Sequence, residues 1–184
     1  AQTATTTLAS ARLTETATAT GCNVVIGDNV ENIPAYLFYC TDTTTGANGI
    51  TSVTIGNNVT TIGESAFKNC SGLTAIHVPA TLTTSNSGAF EGCTSLSKVY
   101  ITSLEAWLNI DFAMYNSYPL YQYAITESTN GREIDCTLYL NNEALTSVEI
   151  PSTVKTIKPF ALMCVTSITD VTIHNGVTAI GQDA

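Results

Sequence analysis

Two consecutive stretches of 23 residues decide the fold. Ile50–Gly72 reads ITSVTIGNNVTTIGESAFKNCSG, and Leu73–Ser95 reads LTAIHVPATLTTSNSGAFEGCTS. Identical residues recur at matching positions: Thr51/Thr74, Thr60/Thr83, Thr61/Thr84, Ala66/Ala89, Phe67/Phe90 and Cys70/Cys93. Self-similarity at a fixed period of 20–50 residues is the signature of a repeat architecture. The chain is therefore expected to be an array of short repeated units.

Pairs of β-branched residues extend this period over most of the chain. The pairs are Val24/Ile26, Val53/Ile55, Ile76/Val78, Val99/Ile101, Val148/Ile150 and Val171/Ile173. Their spacings of 29, 23, 23, 49 and 23 indicate a six-residue loop near Thr41–Asn48 and a degenerate unit between Thr102 and Ala144. Within that unit, Thr137–Leu140 is the predicted strand.

Each unit has an apolar pair, a turn with Gly or Pro, a Val-x-x-Ile-Gly segment and an Ala-Phe-x-x-Cys end. One such segment is too short to bury its own apolar residues, but stacked copies place like residues above one another and share a continuous core. The sequence predicts a solenoid of parallel strands about 4.8 Å apart.

These residues resemble a known family. The Leu-Thr-x-Val-x-Ile-Pro start, the Val-x-x-Ile-Gly middle and the Ala-Phe-x-x-Cys end look like the BspA-type leucine-rich repeat of bacterial and protozoan surface proteins, over about residues 21–184. The resemblance implies an α/β leucine-rich-repeat solenoid with a parallel β-sheet on one face and short strands, turns and short helices on the other. It also implies surface display and adhesion-like roles. Ser85 in an apolar position, Leu162 in a Phe position and the early Cys40 and Cys164 depart from the pattern.

The two ends of the chain differ from the array. Residues 1–20 lack the motif and are expected to be an N-terminal cap or a linker. The last unit stops at Ala184, before its Phe and Cys, so we expect a truncated array and a native polypeptide that continues.

Composition excludes several classes of function. The 184 residues carry a net charge of −9, which gives no electrostatic attraction for nucleic acid or for an anionic membrane. The apolar stretches are far shorter than a membrane-spanning helix requires, so no membrane insertion by this segment is expected.

The chemically reactive residues give no catalytic or metal-binding pattern. His77 and His174 are interpreted as surface histidines, and the carboxylate pairs Glu105/Asp111 and Glu149/Asp170 as solvated charges. No zinc-ligand spacing and no nucleophile motif occur in the sequence. We therefore expect no enzyme activity, no cofactor and no metal. Repeat-end cysteines are expected to form one buried column of structural thiols: Cys40, Cys70, Cys93 and Cys164.

The candidate binding residues lie between the members of the apolar pairs or directly beside the pairs. Because side chains alternate faces along a strand, these residues should form one outward-facing wall on the sheet. The residues between the pairs are Val25, Thr54, His77, Tyr100, Glu149 and Thr172, and they are flanked by Ser52, Ala75, Lys98, Ser147 and Asp170. The candidate ligand-binding residues are Thr54, His77, Lys98, Tyr100, Glu149 and Thr172. A plain solvated sheet is the other interpretation.

The degenerate unit is rich in aromatic residues. It contains Trp107, Phe112, Tyr115, Tyr118, Tyr121 and Tyr123. The spacing Leu104-x-x-Trp107-Leu108 indicates a short helix with one apolar face. Either the aromatic residues plug the gap in the solenoid, or they form a loop that binds a partner.

The predicted function is that of a noncatalytic module, secreted or on the cell surface, which binds a host or neighbouring-cell protein or glycan through the wall. The alternative is a structural spacer within a larger surface protein. The sequence does not identify the ligand, because a fold hosts many functions and the exposed positions decide among them.

Overall fold

A computed structural model describes residues 21–41, 49–121 and 136–184. The predicted cap or linker at residues 1–20 lies outside the described residues. So do most of the predicted loop (residues 42–48) and residues 122–135 of the predicted insertion, which include Tyr123.

Short strands follow one another at the period predicted from the sequence. In chain order they are β1 (Cys22–Val25), β2 (Asn32–Ile33), β3 (Ile50–Thr54), β4 (Thr61–Ile62), β5 (Ala75–Val78), β6 (Thr84–Ser85), β7 (Lys98–Ile101), β8 (Asp111–Phe112), β9 (Thr137–Leu140), β10 (Glu143–Ala144), β11 (Ser147–Glu149), β12 (Thr156–Ile157), β13 (Asp170–Thr172) and β14 (Ala179–Ile180). A helix, α1 (Leu104–Leu108), and a 3-10 turn at Tyr115–Ser117 lie between β7 and β9.

The strands form two faces of a solenoid. The first sheet has the order β1-β3-β5-β7-β9-β10, in which only the β9–β10 pair is antiparallel. A second sheet has the order β2-β4-β6-β8, and β11-β13 and β12-β14 form two further parallel pairs among the described residues. The predicted solenoid is confirmed, although the face opposite the first sheet consists mainly of two-residue strands and turns.

Register places equivalent residues of successive coils side by side. Val53 pairs with Ile76 and Ile76 with Val99, and each of these three side chains is completely buried. Val99 then pairs with Leu138, which confirms the predicted strand Thr137–Leu140 in the degenerate unit. One buried apolar cluster runs from Ile26 to Val165, so the coils share a single core.

Phenylalanine rings of successive coils form a second column in the core. Phe67 stacks between Phe38 and Phe90, with ring centroids 5.2 and 5.4 Å apart and the rings within 10° of parallel. Beside them, the thiol of Cys70 donates to the carbonyl oxygen of Phe38 at 3.3 Å, and the thiol of Cys93 donates to that of Phe67 at 3.1 Å. Burial, together with hydrogen bonding to Cys70, raises the pKa of the Cys93 thiol well above its usual range.

The prediction that Cys164 belongs to this buried column is wrong. Cys164 is exposed and has a left-handed backbone, with a φ of +58°. The residues that precede Cys70 and Cys93, namely Asn69 and Gly92, also have positive φ values, of +62° and +75°. Cys164 thus occupies the left-handed backbone position of its coil, and the next residue, Val165, is buried in the column instead.

Ser85 is a polar residue in an apolar position of the core. Its side chain is completely buried, and its hydroxyl donates to the carbonyl oxygen of Ser117 at 2.8 Å. The 3-10 turn of the degenerate unit supplies this acceptor, so a buried hydroxyl is satisfied where the other coils place an apolar side chain.

The degenerate unit plugs the solenoid through its buried aromatic side chains. Helix α1 begins after Ser103, whose hydroxyl caps it by accepting from the amide of Ala106 at 3.2 Å. Trp107 is buried against Phe112 and Tyr118, and its Nε1 donates to the carbonyl oxygen of Ala161 in the following coil at 2.7 Å. The plug interpretation is confirmed for these three rings. Tyr115 differs, since it is 42% exposed.

The last described coil leaves apolar side chains in solvent. Val171, Ile173 and Ile180 are 45–59% exposed, whereas their equivalents one coil earlier, Val148, Ile150 and Ile157, are buried. The same apolar positions are therefore buried where another coil covers them. They are exposed in the last described coil, where no described residue covers them.

Gly63 provides a test of the close approach between coils. A Cβ at this position would contact the backbone nitrogen of Ala35 and lie 2.7 Å from the carbonyl oxygen of Ile33. Since backbone atoms cannot rotate away, Gly63→Ala should destabilise the protein by about 1–3 kcal/mol, the usual cost of overpacking. The measurement is urea unfolding.

Gly27 is the matched control, because a Cβ there would have no other heavy atom within 4 Å. Gly27→Ala should change stability by no more than about 0.5 kcal/mol. Equal effects of the two substitutions would contradict the proposed contact between coils.

Candidate binding surface

The outward face of the first sheet carries one row of side chains in register. Following Cα pairing from coil to coil, the row consists of Val25, Thr54, His77, Tyr100 and Tyr139. Their strand neighbours on either side point into the core, so the alternation predicted from the sequence is confirmed for this sheet. We call these five residues the outward row.

Three members of the outward row stack their rings. The centroids of His77 and Tyr100 are 4.4 Å apart at an interplanar angle of 9°, and those of Tyr100 and Tyr139 are 4.6 Å apart at 19°. This separation is close to the spacing of about 4.8 Å between neighbouring strands. The sheet itself therefore sets the distance at which the rings meet. We call these three residues the ring stack.

The ring stack is half-buried, because its members cover one another. Tyr100 has His77 against one face and Tyr139 against the other, so solvent reaches mainly its edge. Burial lowers the pKa of the His77 imidazole from its ordinary value of 6.5. The neutral form of His77 is thus favoured in the folded protein.

A second row runs beside the outward row on the same face. Ser52 pairs with Ala75, Ala75 with Lys98, and Lys98 with Thr137. Lys98 is exposed and lies two residues before Tyr100 on β7. Side chains two residues apart on a strand share a face, so the Lys98 cation lies on the same face as Tyr100. Among the described residues, the ion pairs are Lys68–Glu91 and Lys158–Asp111, which leaves the charge of Lys98 available on this face.

Glu149 and Thr172 do not join this surface. They pair with each other in the separate β11-β13 pair, where both are exposed. The prediction of one continuous wall is wrong here, because the antiparallel strand β10 pairs with β9 and occupies the edge where the next parallel strand would bind. Of the six candidate residues, Thr54, His77, Lys98 and Tyr100 lie together.

Tyr139 is a member of the ring stack that the sequence interpretation missed. Its strand was predicted, and inward Leu138 already implies that Tyr139 points outward. The alternation of β9 thus carries the signal, but this unit has Leu138 and Leu140 where the other outward residues lie between Val and Ile.

No group of three His, Cys, Asp or Glu side chains in residues 21–41, 49–121 and 136–184 is arranged to hold a metal ion. Asp111 forms an ion pair with Lys158 at 2.6 Å. A cavity of about 250 Å³ at the last described coil is lined by apolar residues such as Ile157, Leu162 and Val171. The described part of the chain contains no helix with the length and apolar character needed to span a membrane.

Comparison with protein families identifies the repeat. A family model described as "BspA type Leucine rich repeat region" matches residues 45–131 and 111–184, with 6 copies. No curated protein is significantly similar to the chain.

Solved structures of bacterial leucine-rich repeat proteins are similar to this chain at low identity. The T. pallidum protein TpLRR is 17% identical with a TM-score of 0.45, over 89% of this chain and 74% of that one. A protein from Bacteroides ovatus is 21% identical with a TM-score of 0.42, over 86% of this chain and 33% of that one. One from Eubacterium ventriosum is 18% identical with a TM-score of 0.35, over 87% and 50%. This chain thus spans only a third to a half of the latter two proteins.

The lowered pKa of His77 predicts a dependence of stability on pH. Because the folded state binds the proton less well than the unfolded state, this residue should destabilise the fold as the pH falls below about 6.5. Thermal unfolding at about pH 7.5 and about pH 5.5 should therefore show a larger loss of stability in the native chain than in His77→Gln. The same loss in both proteins would contradict the assignment to His77.

Proposed function

We propose, from the premise that this chain belongs to the BspA-type leucine-rich repeat family, that it is a noncatalytic module which binds a protein partner through the ring stack and Lys98. Repeats of this type are typically surface-associated protein-interaction modules. The proposal includes a location outside the cell, secreted or on the surface, and a partner on a host or neighbouring cell.

The observation that carries the proposal is the concentration of rings on a solvent-facing sheet. Thr54 and Thr172 show that a small polar residue suits the outward position of this repeat. His77, Tyr100 and Tyr139 instead place aromatic side chains there, on three successive strands. Tyrosine gives a large contact area at a low cost in conformational entropy and is enriched among the residues that dominate binding energy.

The geometry of the stack favours a protein over a glycan. A sugar ring binds to the open face of an aromatic ring, yet both faces of Tyr100 are covered by its neighbours. The edge and hydroxyl group of Tyr100 are left for contact, which suits the mixed apolar and hydrogen-bonding surface of a protein. Lys98 adds a cation beside the rings, which would pair with a carboxylate of the partner.

A structural spacer is the second candidate, and the same ring stack favours it in a specific way. Cross-strand aromatic pairs stabilise a sheet by about 0.2–1 kcal/mol each. The rings could therefore serve only to hold consecutive coils in register. The two functions differ in what the removal of the rings should change, since a spacer loses stability alone.

Binding can be tested with a variant that borrows a residue from the array itself. Tyr100→Thr with Tyr139→Thr gives the outward row the side chain it already has at Thr54. Partners are first sought in a panel of purified extracellular-matrix and cell-surface proteins, and their affinity is measured by biolayer interferometry. The variant should bind each partner about 30-fold or more weakly, as expected for a binding hot spot. A glycan array is screened in parallel.

The control is Glu149→Gln with Thr172→Ala, which changes the separate β11-β13 pair. This variant should keep the native affinity, because its residues lie off the first sheet. Absence of any protein or glycan ligand, or native affinity in the tyrosine variant, would reject the binding function. A fall in melting temperature alone would then support the spacer. Binding only to glycans would reject the choice of a protein partner.

A further inference from the structure

Five coils have the same type of turn, which comes shortly after the strand that carries the apolar pair. In each case the amide of the fourth residue donates to the carbonyl oxygen of the first at 2.9–3.3 Å. The five turns are Gly27–Val30, Gly56–Val59, Pro79–Leu82, Pro151–Val154 and His174–Val177. Gly or Pro begins four of these described turns, and His174 begins the last.

The last turn has Asn175 and Gly176 as its two central residues. Asn175 is exposed. An Asn-Gly pair is chemically labile, because glycine has no Cβ to hinder attack by its own backbone nitrogen on the preceding side-chain amide. The reaction requires that the amide proton of the glycine be removed, so the environment of that proton decides the rate.

His174 is placed to accept this proton. Its Nε2 lies 2.9 Å from the carbonyl oxygen of Pro151, and since a carbonyl only accepts, Nε2 carries the hydrogen. In the neutral imidazole Nδ1 is then unprotonated, and it accepts a hydrogen bond from the amide of Gly176 at 2.9 Å. The preceding coil thus fixes the tautomer that points a base at the reactive amide.

Lys155 completes the surroundings of the turn. A Cβ built on Gly176 would lie 2.9 Å from the Lys155 Nζ, so the ammonium group is adjacent to the glycine backbone. The same ammonium donates to the carbonyl oxygen of Ser152 at 3.1 Å, which holds it in place. A cation near the glycine backbone favours the negative charge that develops as the amide loses its proton.

We propose that Asn175 is a self-modification site, at which His174 acts as the general base for deamidation. Nδ1 takes the proton of the Gly176 amide, and the nitrogen attacks the side-chain carbonyl carbon of Asn175. A bond forms between these two atoms, the bond from that carbon to the side-chain nitrogen breaks, and ammonia leaves with the proton returned by His174. Water then opens the resulting succinimide to aspartate or isoaspartate.

The product changes the last described coil. Either form adds a negative charge next to Lys155, and isoaspartate also adds a methylene group to the backbone of the turn. This turn joins β13 to β14, the strands that carry the half-exposed Val171 and Ile180. Deamidation would therefore act on the last described coil and does not depend on the proposed binding function.

The array contains its own reference for the reaction. Asn57 and Asn58 occupy the same central positions in the turn Gly56–Val59, where glycine stands in place of His174. That turn has no imidazole at its first position, and its second central residue has a side chain. Asn57 should therefore lose ammonia much more slowly than Asn175.

The test is incubation of the full chain in neutral phosphate buffer, followed by peptide mass spectrometry that locates the gain of mass and the isoaspartate. Native Asn175 should react at least about 100-fold faster than in His174→Pro or His174→Ser, the low end of what a general base contributes. Pro79 and Pro151 show that proline fits this position, and serine keeps a hydrogen-bond acceptor. Circular dichroism verifies folding of both variants.

Two further Asn-Gly pairs, Asn48-Gly49 and Asn130-Gly131, serve as internal standards whose rates should be the same in all three proteins. Equal rates at Asn175 with and without His174 would overturn the proposal. So would a native Asn175 that reacts no faster than Asn57, a comparison that needs no variant.

Discussion

The structure depends on backbone hydrogen bonds that each coil makes with the next one. The amide of Ile55 donates to the carbonyl oxygen of His77, and the amide of Phe67 to that of Ala89. A coil has few partners of its own for these groups, and an unpaired buried backbone group is costly. The coils are therefore stable only when they are stacked in register, and this explains why Val53, Ile76 and Val99 form one column.

The same constraint produces the candidate binding surface. Register that aligns apolar residues inside the solenoid also aligns the residues between them outside, at the strand spacing. His77, Tyr100 and Tyr139 stack for this reason, without any loop or pocket to hold them. Aligned coils also bring Pro151 under His174, where its carbonyl selects the imidazole tautomer. Surface chemistry here follows from the repeat that builds the core.

Sequence periodicity is sufficient to predict the strands of the apolar pairs and their register, because Val and Ile pairs recur at 23 residues. Periodicity does not predict that Cys164 is exposed, because Cys164 shares a left-handed φ with Asn69 and Gly92. Three different residue types adopt this conformation, so the sequence has no common residue that marks it. It also could not show that β10 ends the first sheet and separates Glu149 from Tyr100, because a reversal of chain direction within a degenerate unit has no periodic signature. The binding role of the outward residues stays a prediction.

Methyl and aromatic nuclear Overhauser contacts in solution test the stacking of the coils most directly. Coils stacked in register should give contacts between Val53 and Ile76 and between Ile76 and Val99. They should also give ring contacts from His77 to Tyr100 and from Tyr100 to Tyr139. Contacts displaced by one residue along any strand would place the tyrosines inside and the valines outside. Such a displacement, or the absence of contacts between successive coils, would contradict the account.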